Sequence, residues 1–164
     1  MNNQLPTLLI VEDDENDFLF LQRALANEQF EVQVQHACDG VEAIEYLAGE
    51  NDFANREAHP LPNLIVLDLK MPRKNGFEVL AWLREHSEIG TLPVVVLSSS
   101  EEPADVENAY NLGATGFLVK PSSYLAYSEI VRTLKQFLAN GYEQDSIERE
   151  ARTYHRALNS RQVV

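Results

Sequence analysis

Five polar side chains stand directly after short apolar runs. Glu12 and Asp13 follow Leu8 to Val11, Asp68 follows Leu64 to Leu67, Ser98 follows Val94 to Leu97, and Lys120 follows Phe117 to Val119. Three carboxylates brought together without compensation would repel, and at least one would have to take up a proton. A hard divalent cation removes that penalty. Oxygen ligands with positions left for water suit Mg²⁺, which commonly bridges carboxylates and a phosphoryl group. A lysine and a hydroxyl in the same place add two groups able to hold phosphoryl oxygens as charge shifts during transfer. Taken singly, each residue also has a plain reading: the acids cap helices, Ser98 satisfies a turn, and Lys120 is solvated. That all of them end apolar runs in one chain favours the joint reading, a phosphoryl group carried on a carboxylate.

The elements that must position these groups follow from periodicity. Short apolar runs alternate with longer stretches of helical period, five times over, the pattern of a parallel sheet whose strands are joined by helices. The unbroken run Leu8 to Val11 suits a strand buried on both faces, and the alternating run from Val32 to His36 suits one nearer an edge. Inner helix faces are expected at Phe18, Leu21 and Leu25; at Ile44 and Leu47 behind a cap at Asp39; at Phe77, Leu80 and Leu83; and at Leu125, Val131, Leu134 and Leu138. A further helix from about Pro103 should stop at Gly113. The segment AGENDFANREAHPLPN, residues 48–63, cannot be one helix and is expected to be an exposed loop. In such sheets ligands bind beyond the carboxyl ends of the strands, where the five polar residues gather.

The 164 residues suffice for one compact core, and 26 acidic against 13 basic residues give a net charge of −13. That surface repels phosphate backbones and anionic lipids, which argues against DNA or membrane partners. A single cysteine and the absence of a leader or long apolar stretch lead to the expectation of a cytoplasmic protein. Residues 1–140 carry the whole net charge, whereas residues 141–164 hold four acidic and four basic side chains. In this tail Ile147, Ala151, Tyr154 and Leu158 recur at helical spacing, a stripe that must bury itself, either on its own domain or against the same stripe of a second copy; a homodimer is expected.

Across residues 6–140 the chain resembles the receiver domains of two-component response regulators. The resemblance rests on the acidic pair in LLIVEDD, the central aspartate in LIVLDLKMPRKNG, the hydroxyl in VVVLSSS, and the lysine and proline in GFLVKP, in the family's order. It implies a flavodoxin-like doubly wound (βα)5 fold with strand order 2-1-3-4-5, a receiver over residues 1–140, and a helical extension over 141–164 with no output domain. It implies that Asp68 accepts a phosphoryl group from a sensor histidine kinase or a histidine phosphotransfer protein. Asp13, Asp68 and the Lys70 backbone carbonyl would bind Mg²⁺ directly, and Glu12 through water, while Asp14 caps the first helix. Ser98, Lys120 and Phe117 would answer the phosphoryl group, and Lys70 and Ser100 would tune its hydrolysis. Lys120-Pro121 is a candidate cis peptide. The long 48–63 segment and the tail resemble the small receivers that serve phytochrome-type kinases.

Other readings fit less well. A haloacid-dehalogenase-like phosphatase needs a second acid two positions after its nucleophile, where this chain has Lys70. A receiver-like interaction module that works without phosphorylation would usually lack part of the acidic set, and here the set is whole. The four histidines, 36, 59, 86 and 155, show no metal-ligand spacing and are assigned to structure or surface. Cys38 lacks a cationic neighbour in sequence, which argues against a reactive thiol, and Trp82 is assigned to packing.

Overall fold

A computed structural model describes residues 4–139. Five strands, β1 (Thr7–Val11), β2 (Gln33–Ala37), β3 (Leu64–Leu67), β4 (Val94–Ser98) and β5 (Gly116–Val119), pair in parallel in the order β2-β1-β3-β4-β5. Four helices connect them, α1 (Glu15–Asn27), α2 (Gly40–Ala48), α3 (Gly76–Glu85) and α4 (Pro103–Asn111), and a fifth, α5 (Tyr127–Ala139), follows β5. This is the doubly wound arrangement expected from the sequence, with strand bounds within a residue or so.

Alternation along each strand divides one sheet between two cores. Leu9, Val11, Ile65, Leu67, Val94 and Val96 pack against α2, α3 and α4, through Tyr46, Val79 and Leu83 among others. Leu8, Ile10, Leu64, Val66, Val95 and Leu97 pack against α1 and α5, through Leu21, Leu25, Ile130 and Leu134. A strand covered on both faces has no solvent side, so its sequence is a continuous apolar run rather than an alternating one. β2, at the edge, keeps the mixed pattern.

The starts of α1, α2 and α3 are each fixed by a side chain next to the site. Asp14 Oδ1 accepts from the Asn16 and Asp17 amides at 2.9 and 3.1 Å and caps α1. Asp39 Oδ1 accepts from Glu42 N at 2.9 Å and caps α2. Asn75 and Glu78 form a reciprocal capping box at α3. Gly113, at φ +99°, turns the chain after α4 in a region that glycine enters without strain.

Two expectations are corrected. Residues 48–63 are anchored rather than simply exposed. Arg56 Nη1 and Nη2 donate to the carbonyls of Tyr46 and Leu47 at 2.7 and 2.8 Å, which satisfies the open end of α2. Tyr46, fully buried, donates its hydroxyl to Pro60 O at 2.6 Å, and Phe53 from a short 3-10 turn packs on its ring. Leu125 does not face the core: it lies in the 3-10 turn before α5 and is 71% exposed, because α5 begins only at Tyr127. Among the described residues no helix is long and apolar enough to cross a membrane. The 141–164 stripe lies outside the described residues.

Candidate functional site

Ladder bonds carry the strand ends into one place. Glu12 N donates to Ala37 O at 3.1 Å, Asp68 N to Val11 O at 3.0 Å, and Lys120 N to Ser98 O at 2.8 Å. Each polar residue is therefore still in sheet register as its side chain leaves the core. Glu12 and Asp68 are buried, Ser98 is fully buried, and Asp13 is exposed at the rim. Glu12 Oε1 is held by the Asp14 amide at 3.0 Å. Behind Asp68, the start of α3 packs so closely that a Cβ on Gly76 would sit 2.3 Å from Asp68 O, a contact that only glycine permits.

Lys120 is the cation of the site and is not solvated. Its Nζ lies 2.7 Å from Glu12 Oε2, 2.9 Å from Asp17 Oδ2 and 3.1 Å from Asp68 Oδ2, with the side chain 10% exposed. Burial alone would lower its pKa, but the surrounding carboxylates outweigh that and raise it, so the ammonium stays charged. Burial pushes Glu12 up to about 7; the Lys120 ammonium opposes the rise and the Asp68 charge adds to it. The acids are short of positive charge.

Asp68 Oδ1 shows where that charge is missing: it is buried and accepts no hydrogen bond. Unpaired buried carboxylate oxygens are costly, and cations resolve them. Glu12, Asp13 and Asp68 each offer an oxygen, all within 4.8 Å of one another. The donor set is all oxygen and partly exposed, which fits a hard divalent cation that retains water.

The model of the response regulator receiver domain matches residues 8–154. The chain belongs to the response regulator receiver family. It is similar to the response regulator Rcp1 of Synechocystis sp., 31% identical over 136 residues, 83% of this chain and 90% of that one. The Mn²⁺-bound form of Rcp1 superposes with a TM-score of 0.74 at 30% identity, covering 84% of this chain and 96% of the other. The phosphorylated cyanobacterial phytochrome response regulator RcpA matches with a TM-score of 0.77 at 34% identity, covering 84% and 97%. RPA3017, a response regulator in red light signaling of R. palustris, matches at 0.79 and 35%, covering 85% and 97%.

The receiver brings together Glu12, Asp13, Asp68 and Lys120 at the carboxyl edge of the sheet. Ser98 Oγ accepts from Ser100 N at 3.2 Å, so the hydroxyl is tied to the turn that follows it. Ser100 donates its own hydroxyl to Asp105 of α4 at 2.5 Å. Phe117 is already buried among the side chains on the α2, α3 and α4 face. Lys70 is exposed. The candidate cis bond is corrected: no cis peptide occurs among the described residues, so Lys120-Pro121 is trans. His36 stacks on Phe18 and bonds the Glu12 carbonyl, and Trp82 stacks on His86, in keeping with structural roles. For Cys38, burial and the neighbouring Glu42 raise the thiol pKa, against reactivity.

Sequence reasoning missed Asp17 and Asp105. Both are first-turn helix acids, a placement that the helix dipole alone explains, so neither stands out. No spacing in the sequence marks Asp17, whose partner Lys120 is brought to it only by the fold.

Proposed function

We propose that this receiver takes a phosphoryl group onto Asp68 from a phosphohistidine of a sensor kinase or histidine phosphotransfer protein, and that phosphorylation changes which partner it binds. The observation that carries this reading is the buried, unpaired Asp68 oxygen beside Glu12 and Asp13, with the Lys120 ammonium on the other oxygen.

In that reaction an Asp68 oxygen attacks phosphorus. The O–P bond forms as the P–N bond breaks, and the electron pair returns to the imidazole, which takes a proton from solvent. Asp13, Asp68 and the Lys70 carbonyl would hold Mg²⁺, with Glu12 acting through water. When bound, the ion supplies charge neutralisation for the phosphoryl oxygens. Lys120 turns one of its three donors to a phosphoryl oxygen. Ser98, an acceptor toward Ser100, has its own O–H to give to another. The resulting acyl phosphate is the signal, and by resemblance the face built from α4, β5 and α5, with Phe117 beneath it, transmits it.

The matches to RcpA, a cyanobacterial phytochrome response regulator, and to RPA3017, a response regulator in red light signaling, support a phytochrome-type histidine kinase as donor. Incubation with acetyl phosphate and Mg²⁺ should add one phosphoryl mass. Asp68→Asn should abolish the added mass, and chelation should prevent it. Full labelling of Asp68→Asn would overturn the assignment.

A further inference from the structure

An ammonium has three donors, and here three carboxylates take them. Glu12 and Asp68 belong to the trio whose oxygens crowd within 4.8 Å; Asp17, the third partner of Lys120, does not. A divalent cation shared by that trio would draw on the negative charge of Glu12 and Asp68 and set a like charge close to Nζ. Two of the three bonds that hold Lys120 would weaken when the site is loaded. Asp17 alone keeps its full charge for the ammonium.

Its placement suits that task. Asp17 stands in the first turn of α1, and its amide is bonded to the Asp14 cap at 3.1 Å. The backbone that carries it therefore belongs to a helix and not to the loops around Asp68. Its second oxygen faces the hydroxyl of Tyr127, the first residue of α5, at 3.5 Å. Tyr127 is buried, and its pKa is pushed up to about 12, by burial first and by the Asp17 charge second. The carboxylate is thus braced between two helices while one oxygen reaches Lys120.

We propose that Asp17 is a positioning residue that keeps the Lys120 ammonium in the pocket when a divalent cation shares Glu12 and Asp68. This rests on the phosphoacceptor reading above. A first-turn acid that only favours the helix dipole would contribute to stability and nothing more.

The test uses the full chain with Asp17→Asn and Asp17→Glu. Side-chain NMR of Lys120 is followed with and without Mg²⁺, alongside calorimetric Mg²⁺ affinity, thermal melting, and phosphorylation by acetyl phosphate. In Asp17→Asn the Lys120 side chain should become mobile only when Mg²⁺ is added, with Mg²⁺ affinity within about threefold of wild type. Phosphorylation should slow about tenfold, equivalent to about 1.4 kcal/mol. Asp17→Glu should restore most of the rate. If the Asn variant does not fold, Asp17→Ala carries the same expectation, since alanine favours the helix. A Lys120 signal unchanged by Mg²⁺ in the variant, or a lowered melting temperature with a wild-type rate, would overturn the role of Asp17. A wild-type chain that takes no phosphoryl group would instead overturn the phosphoacceptor reading, while the NMR comparison would still decide for or against Asp17.

Discussion

Ser100 is a residue whose contacts define its work. Its hydroxyl donates to Asp105 at 2.5 Å and accepts from the Glu102 amide at 3.3 Å, while its own amide donates to Ser98 Oγ. Glu102, the cap position of α4, makes no side-chain capping bond, so Ser100 supplies one from two residues upstream. A hydroxyl so committed ties the β4 end to α4. Ser100→Ala should therefore cost about 1.5–3 kcal/mol, the range for a hydrogen bond to a charged group, in a urea titration. A variant of unchanged stability with an altered phosphate lifetime would favour the water-guiding role that the resemblance suggests. Single residues were legible in the sequence where they ended an apolar run, as Asp68 and Lys120 do. Asp17 was not, because its bond to Lys120 joins positions 103 apart and no local pattern records it.

At the scale of elements, helix starts do as much for the site as strand ends. The turn after β3 is fastened to the start of α2 by Arg73, whose Nη2 lies 2.6 Å from Asp39 Oδ2, and by Gly40 N, which donates to Lys74 O at 3.1 Å. Burial would raise the Asp39 pKa, but the Arg73 guanidinium and the Glu42 and Val41 amides outweigh it and hold the carboxyl below its usual 3.8. A depressed carboxyl contributes stability above its unfolded pKa, and that contribution is lost as pH falls through the folded value. Asp39→Asn keeps the cap and removes the charge. At neutral pH it should melt a degree or two below wild type, and the gap should close as pH drops below about 4. A gap that persists in acid would assign the effect to packing. Helix and strand identity was legible here because both cores impose strict periods. The anchoring of residues 48–63 was not, since Arg56 acts through backbone carbonyls that any sequence would present.

For the molecule as a whole, charge decides how copies can meet. Residues 1–140 carry the entire net charge of −13, and the tail from 141 is balanced. Two receiver bodies repel at low ionic strength, so a twofold contact is least opposed where the charge is nil. That favours the stripe of Ile147, Ala151, Tyr154 and Leu158, residues outside those described, as the contact of the homodimer expected from the sequence. The full chain should then sediment as a dimer, and the double substitution of Ile147→Glu and Leu158→Glu should yield monomer while the receiver melts as before. Added salt should tighten the wild-type dimer, because it screens repulsion between the bodies while leaving apolar burial in place. A salt-weakened dimer would point to ion pairs between the bodies, and a monomeric full chain would leave the stripe to pack on its own receiver.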